Sequence, residues 1–93
     1  MRLWIDDLRD PPEGWVWAKD SNKAISCLIA FKSIDTISFD HDLGGDDTTR
    51  RVVNWLCENG WGDIHTVYVH TANPVGREWL EGTINRYGPG VTR

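Results

Sequence analysis

The feature of this chain that most constrains its fold is a series of short, continuous apolar runs separated by helix-like patterns. The runs lie at residues 3–5, 15–18, 36–39 and 66–69, and a stretch with apolar residues at helical spacing follows each of the last three. Helices between such strands require right-handed crossovers and a mainly parallel sheet. We therefore expect a small three-layer α/β domain of the flavodoxin or receiver type, with four strands in the order 2-1-3-4 and three helices.

Composition limits what such a domain can bind. A chain of 93 residues implies one domain over residues 1–93, and its net charge of -4 argues against broad binding to nucleic-acid backbones. The chain has no apolar run long enough to cross a membrane and no signal peptide, so we expect a cytoplasmic protein without a membrane partner. Cys27 and Cys57 have no CxxC spacing and are predicted to be buried thiols.

Six tryptophans are many for a chain of this length. One interpretation is that their large aromatic surfaces stabilise a small core, and the other is that one of them stacks on a nucleobase. The sequence favours the core for most of them and leaves the second role open.

Three polar clusters follow the first, third and fourth strands. They are the pair Asp6-Asp7, the run 40–42 (Asp-His-Asp) and the group 70–73, which contains His70, Thr71 and Asn73. Desolvating carboxylates inside a strand is costly, so these residues belong where the strands reach solvent. The carboxyl ends of parallel strands share one edge of the sheet, where ligands of α/β proteins bind. Each cluster alone is also compatible with a turn or a helix cap, and their shared edge is what indicates a site.

Carboxylates that converge at one point repel each other unless a cation neutralises them. We expect Asp6, Asp7 and Asp40 to hold a divalent metal, with Asp42 at its edge. Oxygen ligands favour Mg²⁺ or Mn²⁺, while the neighbouring histidines also permit Mn²⁺ or Zn²⁺.

The remaining polar residues suit a phosphate ligand. His41 and His70 are candidate proton carriers, and Arg9 is a candidate for a bidentate phosphate contact. The helix that begins at Pro74 offers backbone N–H groups, with Asn73 and Thr71 beside it. Gly44 is predicted to contact the same ligand. By contrast, the pairs 46–47 (Asp-Asp) and 50–51 (Arg-Arg) are predicted to form a solvated helix start.

The layout resembles the two-component receiver domain, in which the corresponding acidic residues bind Mg²⁺ and accept a phosphoryl group. Here the acidic pair Asp6-Asp7, Asp40 and the pair Thr71-Ala72 match that pattern. Receivers also use a lysine after a fifth strand, whereas all three lysines of this chain precede its third strand. The two histidines are additions to the receiver pattern. These departures argue against a phosphorelay receiver.

A closer resemblance is to the cyclic-phosphate processing receiver domain. Its pattern is an aspartate pair and arginine after the first strand, a Ser-Phe-Asp-His-Asp-Leu-Gly run, and a histidine before Asn-Pro-x-Gly. In this chain these segments lie at residues 5–9, 38–44 and 70–76. The resemblance implies action on cyclic nucleotides or RNA-end cyclic phosphates, and it suggests a phage or mobile-element protein concerned with nucleotide-signalled defence.

Three functional hypotheses follow. The first is a metal-assisted phosphodiesterase in which His41 and His70 act as general base and acid, beside Asp40 and Asp42, on a cyclic nucleotide or cyclic phosphate. The second is a module that binds and sequesters such a small anionic ligand without cleaving it. The third is a degenerate receiver that serves as a protein-interaction domain. A homo-oligomer is compatible with each of them.

Overall fold

The strands and helices lie close to where the apolar pattern predicts them. The computed structural model describes all 93 residues. In chain order its elements are β1 (Arg2–Ile5), β2 (Val16–Ala18), α1 (Ser21–Ala30), β3 (Thr36–Phe39), α2 (Arg50–Asn59), β4 (Thr66–Val69) and α3 (Pro74–Tyr87). No helix is long and apolar enough to cross a membrane. Cys27 and Cys57 are both free thiols; Cys27 is buried as predicted, but the prediction of burial is wrong for Cys57, which lies on the exposed side of α2.

The four strands form one parallel sheet in the order β2-β1-β3-β4, which confirms the predicted topology. Ile5 pairs with Ala18 on one side and with Phe39 on the other, and Phe39 pairs with Val69. These aligned strand ends form a single carboxyl edge. The loops that leave it carry all three polar clusters, so the fold brings them together.

All three helices pack on the same face of the sheet. Leu3, Ile37 and Val67 occupy neighbouring register positions, and they share one buried core with apolar residues of α1, α2 and α3. Both crossovers, from β2 to β3 and from β3 to β4, run in the same direction across the sheet, so right-handed connections place their helices on one side. The layers therefore differ from the three-layer expectation, because no helix covers the opposite face.

Aromatic side chains cover that opposite face instead. The ring of Trp4 stacks on His70 with centroids 4.0 Å apart and planes 8° from parallel, and its edge meets Trp15 at 5.8 Å. These rings shield Ser38, which is 2% exposed although it points away from the helices. Trp55, Trp61 and Trp79 pack against the helical core. The structure thus gives most tryptophans the predicted role of packing.

Helix caps fix the entry of two helices. The Asp20 carboxylate accepts a hydrogen bond from the Lys23 N–H and begins α1. The Asn73 side-chain oxygen accepts from the N–H groups of Val75 and Gly76, with Pro74 at the first position of α3. The second cap holds Asn73 at the carboxyl edge of the sheet.

Candidate functional site

A cleft of about 350 Å³ opens at the carboxyl edge of the sheet. This volume is at the lower end of the range found for small-molecule sites. Eight of the predicted site residues line it: Asp6, Asp7, Arg9, Asp40, Asp42, Gly44, Thr71 and Asn73. The two predicted histidines, His41 and His70, do not.

Three carboxylates converge at the floor of this cleft. Oxygen atoms of Asp6, Asp7 and Asp40 all lie within 4.8 Å of one another. Asp6 is fully buried, and its Oδ1 accepts hydrogen bonds from the backbone N–H groups of Leu8 and Arg9 at 2.9 and 3.0 Å. Burial acts to raise the pKa of Asp6, but these backbone donors, followed by the His70 ring, outweigh it and hold the pKa below its ordinary value. Asp6 is therefore ionised at neutral pH.

The donor set fits a divalent cation. Its three ligating groups are carboxylates, and Asp6 is oriented in advance by its hydrogen bonds. Hard cations such as Mg²⁺ and Mn²⁺ prefer such oxygen ligands, whereas Zn²⁺ sites usually include nitrogen or sulfur. No histidine nitrogen faces the cluster freely, so the residues present suit Mg²⁺ or Mn²⁺ better than Zn²⁺.

His70 supports the acidic cluster from the aromatic face of the sheet. Its Nε2 lies 3.0 Å from Oδ2 of Asp6, and its Nδ1 lies 2.6 Å from the Ser38 hydroxyl. Because a carboxylate can only accept, Nε2 carries the proton and donates to Asp6, while the Ser38 hydroxyl donates to Nδ1 of a neutral ring. Burial lowers the pKa of His70 below its ordinary value, against the effect of the Asp6 carboxylate.

His41 lies behind the cleft rather than in it. Its side chain is 6% exposed, and both ring nitrogens are bound: Nδ1 lies 3.0 Å from Oδ1 of Asp42, and Nε2 accepts from Nε of Arg50 at 2.8 Å. Arginine can only donate and a carboxylate can only accept, so these partners together fix one neutral tautomer. The ring packs against Gly76 of α3, where an added Cβ would lie 2.7 Å from Cδ2 of His41.

Asp42 stands at the rim of the cleft as an oriented, solvent-exposed carboxylate. His41 donates to its Oδ1, and the Asn73 amide donates to its Oδ2 at 3.0 Å. Hydrogen bonds from Asn73 and then His41 hold the pKa of Asp42 below its ordinary value. The side chain remains 60% exposed. Asp42 thus offers a fixed anionic acceptor to anything that enters the cleft.

The other rim residues are held by local backbone contacts. Arg9 folds back across the edge and donates from Nη1 to the His70 carbonyl at 3.1 Å. Thr71 is buried, and its hydroxyl accepts from the backbone N–H of Asn73. Gly44 has a φ of 89°, and a Cβ there would lie 3.3 Å from Oδ2 of Asp7. Glycine at this position lets the loop approach the acidic cluster closely.

Three residues that support the site were not predicted from the sequence. Ser38 and Trp4 hold His70, as described above. Arg50 binds His41. Away from the site, the Asp47 carboxylate accepts hydrogen bonds from the backbone N–H and hydroxyl of Ser21. The prediction that residues 46–47 and 50–51 form a solvated helix start is therefore wrong for Asp47 and Arg50. Their partners are distant in sequence, so no local pattern indicates the contacts.

Comparison with known proteins identifies the family of this chain. No curated protein and no solved structure matches the chain. The sequence does match the family described as the Cyclic-phosphate processing Receiver domain over residues 1–86. That match includes every residue of the acidic cluster and of the cleft rim. The chain therefore belongs to the family of cyclic-phosphate processing receiver domains.

Proposed function

We propose that this protein is a metal-dependent phosphodiesterase that opens a cyclic phosphate, either of a cyclic nucleotide or of an RNA end. One observation supports the proposal above all: oxygen atoms of three carboxylates lie within 4.8 Å of one another. The rim beside them carries the cationic side chain of Arg9 and the amide of Asn73. Asp6, Asp7 and Asp40 would hold Mg²⁺ or Mn²⁺. The chemistry that such an ion supplies when bound is Lewis-acid polarisation of a phosphate oxygen.

The rim would orient the phosphate. Arg9 lines the cleft, and its guanidinium can pair with two phosphate oxygens. The Asn73 side chain is already engaged with Asp42 and with the start of α3, so it acts as a rigid wall. Asp42 would contact uncharged parts of the ligand beside the phosphate, because its anionic carboxylate repels the phosphate itself.

In the proposed reaction, water adds to phosphorus and one phosphorus–oxygen bond of the ring breaks. Asp42 would accept a hydrogen bond from the attacking water, whose proton passes to solvent, and the leaving oxygen would take a proton from solvent. The low pKa of Asp42 makes it a weak base, so its main contribution would be to orient the water. His41 and His70, predicted as base and acid, take supporting positions in this proposal, since their partners are Asp42 and Asp6.

The test is incubation of the purified protein with 3′,5′-cyclic mononucleotides, cyclic dinucleotides and RNA ending in a 2′,3′-cyclic phosphate, each with Mg²⁺ or Mn²⁺. We expect cleavage of at least one class and its loss in Asp40→Asn. Arg9→Gln should raise KM roughly 10- to 100-fold, since a charge-assisted hydrogen bond is lost. Lys32→Gln removes the same charge from an exposed site and should behave like wild type. A panel that stays intact with both metals would exclude the enzyme.

A second candidate function is binding without cleavage. It is favoured by one observation: all four ring nitrogens of His41 and His70 are occupied by protein partners. A sequestering module needs the cleft and its metal but no proton carrier. Calorimetry would then show tight binding of one cyclic phosphate, and the ligand would be recovered intact after the protein is denatured. Recovery of an opened product would reject this alternative.

A further inference from the structure

The outer side of α3 carries a groove of about 650 Å³ that shares no lining residue with the cleft. It is lined almost entirely by α3 itself, with Arg50 of α2 as its far wall. The guanidinium of Arg50 lies over the Trp79 ring at 4.9 Å, and that of Arg86 lies over Tyr87 at 5.3 Å. Aromatic and arginine side chains are enriched at the centres of protein interfaces.

The lining residues of α3 fall on two adjacent ridges with a spacing of four residues. One ridge is apolar apart from a threonine, and it consists of Val75, Trp79, Thr83 and Tyr87. The other consists of Glu78, Gly82 and Arg86. Val75 is 68% exposed and Tyr87 is 61% exposed, although both are large hydrophobic residues. Ridges of this kind are the surfaces through which helices pack against each other.

No contact within a single chain requires glycine at position 82. It is exposed in the middle of a 14-residue helix, where glycine is the least favourable residue apart from proline. A Cβ atom added there would meet nothing within 4 Å, so the chain itself does not require a small residue. Gly76, on the same helix, is different, since the His41 ring fills the space beside it. A small residue at position 82 is explained if another backbone approaches it closely.

The charged residues on either side of Gly82 indicate which chain supplies the second backbone. Glu78 and Arg86 lie four residues before and four residues after the glycine. Neither forms an ion pair within the chain, whereas Glu81 on the same helix pairs with both Arg77 and Arg93. If two copies of α3 cross antiparallel at Gly82, Glu78 of each copy faces Arg86 of the other. The ridge is therefore complementary to itself, as a two-fold interface requires.

We propose that the protein forms a homodimer through antiparallel packing of α3 on α3 of a second copy, centred on Gly82. Glu78 and Arg86 make two identical interchain ion pairs, and the ridge that contains Trp79 packs beside them. An unrelated protein partner would have no reason to match a charge pattern that is symmetric about one glycine. The second copy is thus the occupant that the observed charges favour.

Charge reversal tests this interface. Sedimentation velocity of the wild type between ~10 µM and ~1 mM should show a mass that rises from that of the 10.6 kDa chain toward twice that value. Glu78→Arg and Arg86→Glu should each weaken association at least tenfold, because each places like charges opposite each other. The double reversal, and an equimolar mixture of the two single variants, should both restore it. Glu13→Arg changes charge in a loop outside the groove and should leave association unchanged.

Two results would overturn the proposal. The first is a wild type that keeps the monomer mass over the whole concentration range, which would assign the groove to another partner or to none. The second is that an equimolar mixture of the two single variants fails to associate. The interchain charges are complementary again in that mixture, so the proposed interface requires association to return. Circular dichroism of each variant shows whether it is folded. The outcome is independent of phosphodiesterase activity, because no ligand is involved.

Discussion

The imidazole of His70 connects the carboxylate of Asp6 to the middle of the sheet. Its Nε2 lies 3.0 Å from Oδ2 of Asp6, and its Nδ1 lies 2.6 Å from the Ser38 hydroxyl on β3. Together with two backbone N–H groups, this contact fixes the carboxylate before any ligand arrives. Such outer contacts commonly determine how strongly a carboxylate binds a metal.

Stability should fall as the pH drops below about 6.5, the ordinary pKa of histidine. Burial lowers the pKa of His70 in the folded protein, so the unfolded chain binds this proton more readily. The stabilising effect is therefore complete above the unfolded pKa and is lost as the pH falls toward the folded one. Urea unfolding between pH 8 and pH 5 measures this slope, which is at most about 1.4 kcal/mol per pH unit for one proton.

The substitution His70→Gln should remove this part of the slope. His65→Gln is the control, because His65 is exposed and lies at the opposite edge of the sheet. A wild-type slope that persists in His70→Gln would mean that another group is responsible.

Replacing Ser38 by alanine should destabilise the protein by about 1–3 kcal/mol. The hydroxyl is buried and is the only donor to Nδ1 of His70, so its removal leaves a buried acceptor without a partner. Urea unfolding at pH 7.5 measures the change. Ser26→Ala on the exposed side of α1 should alter the unfolding free energy by less than about 0.5 kcal/mol. Equal effects at the two serines would contradict this role of Ser38.

Two glycines of α3 should respond to alanine in opposite directions. Gly82→Ala should stabilise the dilute protein by about 1 kcal/mol, because the helix gains propensity and the new methyl meets nothing. Gly76→Ala should destabilise it by about 1–3 kcal/mol, because the methyl overlaps the His41 ring. Thermal unfolding at low protein concentration compares the two. Stabilisation by both substitutions would show that His41 moves aside easily.

Removing one carboxylate should have opposite effects with and without metal. Without metal, Asp40→Asn should raise the unfolding free energy by about 0.5–1 kcal/mol, since it relieves repulsion among three clustered charges. With Mg²⁺ or Mn²⁺ at about ten times its Kd, the wild type should gain about 1.4 kcal/mol and the variant much less. Thermal unfolding with and without EDTA provides the measurement.

Asp63→Asn is the matched control for this experiment, because Asp63 is exposed in the loop before β4, away from the cluster. It should gain as much from the metal as the wild type does. If Asp40→Asn and Asp63→Asn respond alike, the cluster of Asp6, Asp7 and Asp40 does not bind the ion.

The sequence predicts the strands, the helices and the acidic cluster because these depend on patterns that are local along the chain. Continuous apolar runs indicate the strands, and Asn73-Pro74 indicates the start of α3. Both signals depend little on the rest of the chain. Parallel topology then places the ends of β1, β3 and β4 at one edge, so the convergence of Asp6, Asp7 and Asp40 follows from the order of the strands alone.

The orientations of the two histidine rings could not be predicted in the same way. His41 follows a strand, as Asp40 does, but its ring turns inward because Gly76, 35 positions later, leaves space and Arg50 supplies a donor. His70 turns toward the aromatic face because Ser38 and Asp6 bind its two nitrogens. Each orientation depends on partners in other elements. The absence of a helix on the aromatic face of the sheet was missed for a similar reason. The tryptophans in the strand pattern do not show whether a helix or other side chains cover that face.

The stack of Trp4 on His70 places an intrinsic fluorophore next to the site. An indole in van der Waals contact with an imidazole changes its emission when the imidazole gains a proton or shifts, and this imidazole is hydrogen-bonded to Asp6. Events at the acidic cluster are thus transmitted across one hydrogen bond to a fluorophore. Intrinsic emission, compared between the wild type and a Trp4→Phe variant, can report occupancy of the cleft without any label.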